Sequence, residues 1–276
     1  MLKTRIILTG GGSGGHIMPL LAVSEELWKY ADEQKKEIKI RYFGNPRGFK
    51  DEFLIRRIPI SKIASAKIRR YFDLRNLLDI FKFFFSLFQS FWKVYLFMPD
   101  VCFSKGGPGA LSVILACRFY KIPVIIHESD SVPSATTKIS FRFAKIVEGA
   151  FSSIKDYFPG WEKVKVVGNP TRKIITRLVG KREAKSFFGF NPDLPVVFFA
   201  GGSRGSNHIN DFVLVNLKRF LPKYQILHQV GIENINAYKA EYEVMSSDLL
   251  PELKSKYKFF AFFGKEISES YQSADV

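Results

Sequence analysis

Cysteine and histidine are scarce in this sequence, whose 276 residues include only two cysteines, Cys102 and Cys117, and four histidines. Two cysteines fit neither a disulfide framework nor a zinc-ligand pattern, which favours a reducing compartment. We expect no secretory signal either, because the first apolar run, Ile6 to Leu8, is short and meets glycines at once. The sequence therefore predicts a cytoplasmic chain rather than a secreted scaffold.

Long apolar runs are absent as well. The most apolar segment, "LRNLLDIFKFFFSLFQSFWKVYLF" (74–97), has no uncharged run longer than ten residues, whereas a membrane span needs about 20. Its polar residues recur at steps of three and four, on one helical face: Arg75, Asp79, Lys82, Ser86, Gln89 and Lys93. We expect the wide apolar face to pack under a sheet for most of its length. An aromatic edge and the preceding "KIASAKIRRYF" (62–72) would meet lipid.

Acidic residues are outnumbered, with 26 Asp and Glu against 42 Lys and Arg, a net charge of +16. The excess is densest in residues 41–75, where ten basic residues face three acidic ones. Such a patch suits nucleic acid or an anionic membrane. No nucleic-acid module is recognisable, nor is the interleaving of aromatic and basic residues that binds single strands. We therefore expect an anionic membrane surface as a partner, and no nucleic acid.

Strand patterns alternate with helical ones along the whole chain. "TRIILTG", "EIKIRYFG", "PDVCFSKGG", "PVIIHES" and "KVKVVGNP" read as strands, and the pattern restarts at "LPVVFFAGGSRGSN", followed by "YQILHQVG" and "YKFFAFFG". Such alternation predicts parallel sheets covered by helices. We expect an α/β protein of two Rossmann-like, doubly wound domains, residues 1–170 and 171–276, joined near "GNPTR" (168–172).

The loop "GGGSGG" (10–15) stands between the first strand and a helix. Glycines let a ligand approach the backbone, and the helix start favours an anion, so we expect a phosphate site rather than a plain turn. The spacing also satisfies G-x-G-x-x-G. A dinucleotide site, however, wants a carboxylate at the end of the next strand, which here ends in Phe43, Gly44 and Asn45. A Walker A loop is excluded, because no glycine loop is followed by Lys-Ser/Thr.

Histidine 16 follows this loop directly. A neutral imidazole beside a phosphate cradle can take a proton from a hydroxyl, although a histidine that only caps the turn or contacts phosphate is the alternative. The loop "SKGGPGALSV" (104–113) is a second glycine loop after a strand, and Lys105 adds positive charge. Together the two loops predict one long anionic ligand, such as a diphosphate.

Three further segments carry polar groups. "HESDSVPS" (127–134) follows a strand; Glu128 and Asp130 make a weak metal signal, and hydrogen bonding to a sugar suits them better. Arg172 stands just past a turn at the domain junction, where it would fork onto phosphate or stay a solvated linker charge. "AGGSRGSN" (200–207) is the phosphate-type loop of the second domain and contains Ser203.

As a set, "TGGGSGGHIMPLLAV", "FSKGG", "PVIIHESD", "VVGNPTR" and "GGSRGS…IN" resemble the MurG-type glycosyltransferases of family 28. The resemblance implies the GT-B fold, two Rossmann-like domains around a cleft, and transfer without metal or cofactor. It implies UDP-N-acetylglucosamine as donor and undecaprenyl-diphosphate-linked muramyl-pentapeptide as acceptor, at the cytoplasmic face of the inner membrane. The implied donor-binding residues are Ser13, Gly14, Gly15, Asp130, Arg172, Ser203 and Gly264. The implied acceptor-diphosphate residues are Gly12, Gly14, Gly15, Lys105, Gly106 and Gly107.

The implied chemistry is an inverting attack of the acceptor C4 hydroxyl on the anomeric carbon of the donor, with His16 as the base. Asp130 stands where the family usually has asparagine, Pro108 where it has tyrosine, and Gly264 where a larger aliphatic residue is usual. The family continues beyond "YQSADV", so we expect an incomplete second domain and weak activity. A non-catalytic domain that binds membrane and diphosphate-lipid is the alternative function.

Overall fold

The computed structural model describes residues 3–65, 75–159 and 162–276. The chain divides into two compact units, Met1–Arg172 and Lys173–Val276, which are described one at a time. Among the described residues, no helix has both the length and the apolar character that crossing a bilayer requires.

The first unit is a parallel sheet of seven strands flanked by helices. The strands are β1 (Thr4–Thr9), β2 (Ile38–Phe43), β3 (Ile60–Ser61), β4 (Val101–Ser104), β5 (Val124–Glu128), β6 (Ile146–Gly149) and β7 (Val164–Val166). The helices are α1 (Gly14–Glu33), α2 (Lys50–Ile55), α3 (Arg75–Phe97), α4 (Ala110–Phe119), α5 (Ala135–Ser140) and α6 (Ile154–Tyr157), with a 3-10 turn at Arg47–Phe49. The strand order is β3-β2-β1-β4-β5-β6-β7.

Strand β1 is an interior strand of the sheet, and the strand order reverses at it. It pairs in parallel with β2 on one side and β4 on the other, so that Ile7 lies level with Arg41 and Cys102. Its residues Ile7 and Leu8 are fully buried, as a strand covered on both faces requires. The reversal places the loops after β1 and β4 side by side at the carboxyl edge, where ligands bind in open α/β sheets.

Helix α3 packs differently from the expectation that its wide apolar face lies under the sheet. Its buried side is a narrow stripe with two serines: Asp79, Ser86, Ser90, Val94 and Phe97. The Ser90 hydroxyl donates to Ser86 O at 2.7 Å, and its Oγ lies 3.0 Å from Ser112 Oγ of α4. Small side chains let α3 approach α4 closely, and their hydroxyls are satisfied within the helix. The aromatic face is left exposed, with Phe88 71% and Trp92 58% accessible.

The second unit has a parallel sheet of three strands. They are β8 (Val196–Ala200), β9 (Gln225–Gln229) and β10 (Tyr257–Phe260), in the order β10-β9-β8. Its helices are α7 (Lys181–Phe187), α8 (Asn207–Val215), α9 (Leu217–Phe220), α10 (Ile235–Met245), α11 (Pro251–Ser255) and α12 (Ile267–Ser273), after a 3-10 turn at Lys173–Thr176. One core, around Ile226, Leu221 and Tyr238, and another, around Phe263 and Leu227, lie against the sheet.

The α/β class with parallel sheets and alternating helices is thus confirmed. Two strands, β3 and β6, were not among those predicted. Strand β3 has two residues, and β6 lies in "KIVEG", where Glu148 interrupts the apolar run. Most of the basic stretch 62–72 and the start of the 74–97 segment fall on residues 66–74, outside the described residues.

Candidate functional site

The two glycine loops of the first unit lie side by side and are hydrogen-bonded to each other. The Lys105 amide donates to Thr9 O and the Gly11 amide to Gly106 O, both at 2.9 Å. The buried Tyr42 phenol donates to Gly10 O at 3.0 Å and fixes the first loop from the β2 side. Residues 10–15 and 105–109 therefore form one surface of main-chain groups, which the start of α1 adjoins.

Two glycines in these loops have no room for a side chain. Gly107 has a φ of +83°, and a Cβ placed on it would lie 2.8 Å from His16 Nε2 and 3.0 Å from the Gly11 nitrogen. A Cβ on Gly12 would lie 2.7 Å from Asn45 O. The loops are glycine-rich because the second loop passes directly over the imidazole of His16 and the first passes over the end of β2.

The imidazole of His16 stands in the first turn of α1. Its Nδ1 is 2.7 Å from the Oγ of Ser13, the residue that precedes the helix, and its Nε2 faces Gly107. Burial lowers the pKa of His16 below its ordinary value, and the charge of Lys105 lowers it further against the opposing charges of Glu128 and Asp130. The ring is therefore neutral at pH 7. When Nδ1–H donates to Ser13, the lone pair on Nε2 can accept a proton.

Glu128, at the end of β5, is engaged in building its own loop. Its Oε2 accepts from Thr137 Oγ1 at 2.6 Å and from the Ser134 amide at 2.9 Å, and Oε1 accepts from the Asp130 amide at 3.2 Å. Burial raises its pKa, but these hydrogen bonds outweigh burial and hold the pKa below the ordinary glutamate value. Glu128 thus ties β5 to the start of α5 as a carboxylate.

Lys105 is buried, with 4% of its surface exposed. Its ammonium contacts His127 Nδ1 at 2.7 Å and also the hydroxyl of Ser129. His127 Nε2 donates to Gly168 O at 2.8 Å, and Ser129 donates to Asn169 Oδ1 at 2.7 Å. The expected sites of the second glycine loop, the HESD loop and the GNPTR turn are therefore connected.

The remaining predicted residues take varied positions. Asp130 is exposed at the tip of its loop, and Arg172 is 5% exposed at the end of the 168–172 turn. In the second unit, Ser203 follows β8 and Gly264 follows β10; the Ile232 amide, just beyond β9, donates to Ser203 O at 3.1 Å. Because β8, β9 and β10 are parallel, Ser203 and Gly264 stand beyond the same edge of that sheet.

Three residues of this network were not predicted as site residues, although Ser134 and Asn169 lie within the segments "HESDSVPS" and "GNPTR". Ser134 caps α5, accepting from the Thr137 amide at 3.2 Å. Tyr42 of β2 holds the first glycine loop, and Asn169, beyond β7, holds the loop after β5. The position of Ser134, three residues before Thr137 at a helix start, is the sequence feature that predicts such a cap. Within the part of the chain that the structure describes, no group of three or more His, Cys, Asp or Glu side chains is placed to hold a metal ion.

Family models match both units. The N-terminal domain model of glycosyltransferase family 28 matches residues 6–148, more than half of the chain, and its C-terminal domain model matches residues 196–276. A Bacillus cereus protein is 37% identical over 84% of this chain, and a Legionella pneumophila protein is 36% identical over 83%. Both are named UDP-N-acetylglucosamine–N-acetylmuramyl-(pentapeptide) pyrophosphoryl-undecaprenol N-acetylglucosamine transferase. The chain spans 64% and 62% of their lengths.

Solved structures agree in fold. The crystal structure of Acinetobacter baumannii MurG superposes with a TM-score of 0.58 at 23% identity, covering 99% of this chain and 72% of that one. Anabaena HepE, solved in complex with UDP, gives the same TM-score at 14% identity and the same coverage. The similarity therefore runs through both units, and the chain belongs to glycosyltransferase family 28.

Proposed function

We propose that this protein transfers N-acetylglucosamine from UDP-N-acetylglucosamine to the C4 hydroxyl of lipid-linked N-acetylmuramyl-pentapeptide, with inversion and without a metal, in peptidoglycan synthesis. The names of the Bacillus cereus and Legionella pneumophila relatives supply the substrates. The observation that carries the proposal is His16, whose Nδ1 is engaged by Ser13 while Nε2 faces the second glycine loop at Gly107.

His16 is the proposed base. The acceptor C4 oxygen would attack the anomeric carbon while its proton passes to Nε2, and the bond from that carbon to the UDP oxygen would break. A base must be unprotonated to act, and both burial and Lys105 favour the neutral ring. Ser13, by accepting from Nδ1–H, would stabilise the imidazolium that forms.

The glycine loops are the proposed diphosphate site. Gly12, Gly14, Gly15, Gly106 and Gly107 would present main-chain amides to the acceptor diphosphate, and the start of α1 and the charge of Lys105 add positive potential. The proposed donor contacts in the first unit are Ser13, Gly14, Gly15, Asp130 and Arg172. Those in the second unit are Ser203 and Gly264, which stand beyond the same sheet edge.

The test is transfer of labelled N-acetylglucosamine from UDP to a lipid-linked muramyl-peptide, with chelator present. His16→Ala should lower kcat about 100-fold or more, which is the usual contribution of a general base. Lys29→Ala, an exposed position on the same helix, is the matched control and should transfer at the parental rate. Transfer that survives in His16→Ala would remove the histidine from the chemistry, and transfer lost on chelation would contradict a metal-free reaction.

We propose an anionic membrane surface, at the cytoplasmic face, as a partner of helix α3. Its exposed aromatic face, which includes Phe88 and Trp92, suits a lipid interface, and the net charge of +16 suits anionic headgroups. Phe88→Ser with Trp92→Ser should abolish binding to phosphatidylglycerol vesicles, whereas Phe151→Ser, an exposed phenylalanine elsewhere, should not. Vesicle binding in a protein that transfers no sugar would instead favour the non-catalytic lipid-binding function.

A further inference from the structure

Lys105 is a buried lysine whose ammonium contacts other groups of the protein. Lys105 is the residue after β4, and its ammonium contacts His127 of β5 and Ser129 of the loop after β5. Among the residues that the structure describes, no carboxylate is bonded to it, and its two partners are neutral groups, the imidazole of His127 and the hydroxyl of Ser129. Burying a cation whose partners are neutral costs free energy of folding. We therefore consider which groups this ammonium orients.

Two hydrogen-bonded paths run from this ammonium to one turn. In the first path, His127 Nδ1 accepts a hydrogen bond from the ammonium and Nε2 donates one to Gly168 O. In the second, the Ser129 hydroxyl accepts from the ammonium and donates to Asn169 Oδ1. An ammonium only donates, so it fixes His127 as the Nε2–H tautomer and turns the Ser129 hydroxyl toward Asn169. Both paths end on adjacent residues of the segment that carries Arg172.

The side chain of Lys105 begins beside that of His16. Gly10 separates the two, since a Cβ on Gly10 would lie 3.3 Å from Lys105 Cβ and 3.5 Å from His16 Cβ. Gly10 places no side chain between them, and the charge of Lys105 lowers the pKa of His16. The opposing charges at these strand ends are Glu128 and Asp130, which act on both groups, and Glu148 of β6, which acts on Lys105.

We propose that Lys105 is a positioning residue, whose ammonium orients His127 and Ser129 and through them the Gly168–Asn169 turn, and whose charge acts on His16 across Gly10. The consequence for the transfer reaction rests on the proposed function, but the positioning itself does not. Burial lowers the pKa of Lys105 to about 8, so the ammonium is largely present at pH 7 and is lost as the pH rises through 8. Burial, and then Lys105, lower the pKa of His127 to about 4.

The test is nitrogen NMR of the four imidazoles in the intact chain as a function of pH. The unsubstituted protein should show His127 as the Nε2–H tautomer, with an Nδ1 signal that moves with a midpoint near pH 8 as its donor titrates. Lys105→Met removes the charge and the donors at similar length. It should abolish that inflection and raise the pKa of both His127 and His16. Lys155→Met, an exposed lysine of α6, controls for the loss of one positive charge and should change neither.

The outcomes separate the alternatives. Lys105→Met with unchanged titrations of His16 and His127 would overturn the proposal, as would an Nδ1–H tautomer of His127 in the unsubstituted protein. If Lys105→Met fails to fold, the inflection near pH 8 in the unsubstituted protein decides the matter, and its absence refutes the assignment. In an active enzyme, the acid limb of kcat/KM should move to higher pH in Lys105→Met. Absence of transfer would contradict the proposed function and leave the NMR result standing.

Discussion

Gly107→Ala is expected to damage the site more than the same substitution at its neighbour, Gly106. Both glycines have positive φ, +83° and +68°, so alanine costs about 1–2 kcal/mol of unfolding free energy at either position. Of the two positions, only at Gly107 does the new methyl group come closer than van der Waals contact, at 2.8 Å from His16 Nε2 and 3.0 Å from the Gly11 nitrogen. At Gly106 the nearest atom, Ser134 Oγ, is 3.7 Å away. Overpacking should add about 1–3 kcal/mol to Gly107→Ala alone.

Urea denaturation of the parent and both variants measures these costs, and NMR of the His16 imidazole reports where the methyl group acts. Gly107→Ala should be the less stable variant and should shift the Nε2 resonance, whereas Gly106→Ala should leave that resonance in place. Transfer, where it is measured, should fall with Gly107→Ala beyond what lost stability explains. Equal stabilities of the two variants, with an unchanged imidazole, would refute the packing of this loop over His16.

Glu128→Gln should destabilise the first unit by about 1–3 kcal/mol, because three hydrogen-bond donors lose their carboxylate acceptor. In urea denaturation, the extra stability of the parent over this variant should disappear as the pH falls through the lowered pKa of Glu128. Ser90→Leu should cost about 1–3 kcal/mol by forcing α3 from α4, and a midpoint equal to the parent's would contradict the serine-lined contact. Burial lowers the pKa of His228 to about 4, so the unfolded chain takes up a proton at a higher pH than the folded one. The free energy of unfolding should therefore fall by roughly 3 kcal/mol as the pH drops from 6.5 to 4, and His228→Gln should remove that part of the pH dependence.

The sequence predicted the parallel α/β class and most strands because the apolar runs and the glycines after them are local signals. Strands β3 and β6 escaped because one has two residues and the other carries Glu148 at a half-buried position. Such strands are specified by the neighbours they pair with, as Phe43 pairs with Ser61 and His127 with Glu148. The local sequence pattern does not encode that pairing.

Helix α3 shows a second limit of periodicity. A hydrophobic pattern indicates which face is apolar, and burial of that face is an inference from typical helices. Here the partner is α4, where Ser90 meets Ser112 and the ring of Phe91 meets that of Phe119 at a centroid distance of 5.0 Å. The buried face is therefore the one whose side chains, two serines among them, fit against α4, and the apolar pattern alone does not indicate it. The exposed phenylalanines are then the reason to look for a surface partner.

The segment "HESD" shows how the structure divides roles that the sequence leaves together. Glu128 and Asp130 stand two residues apart, and either suits a sugar hydroxyl. The amides of Asp130 and Ser134 and the hydroxyl of Thr137 take three of the roughly four acceptor positions of Glu128. Glu128 is also 6% exposed, so that little of it is open to a sugar hydroxyl. Asp130 is the exposed carboxylate on the loop that Glu128 holds in place. Of the two carboxylates, Asp130 is therefore the one suited to substrate, and loss of Glu128 would act on binding only through the position of Asp130.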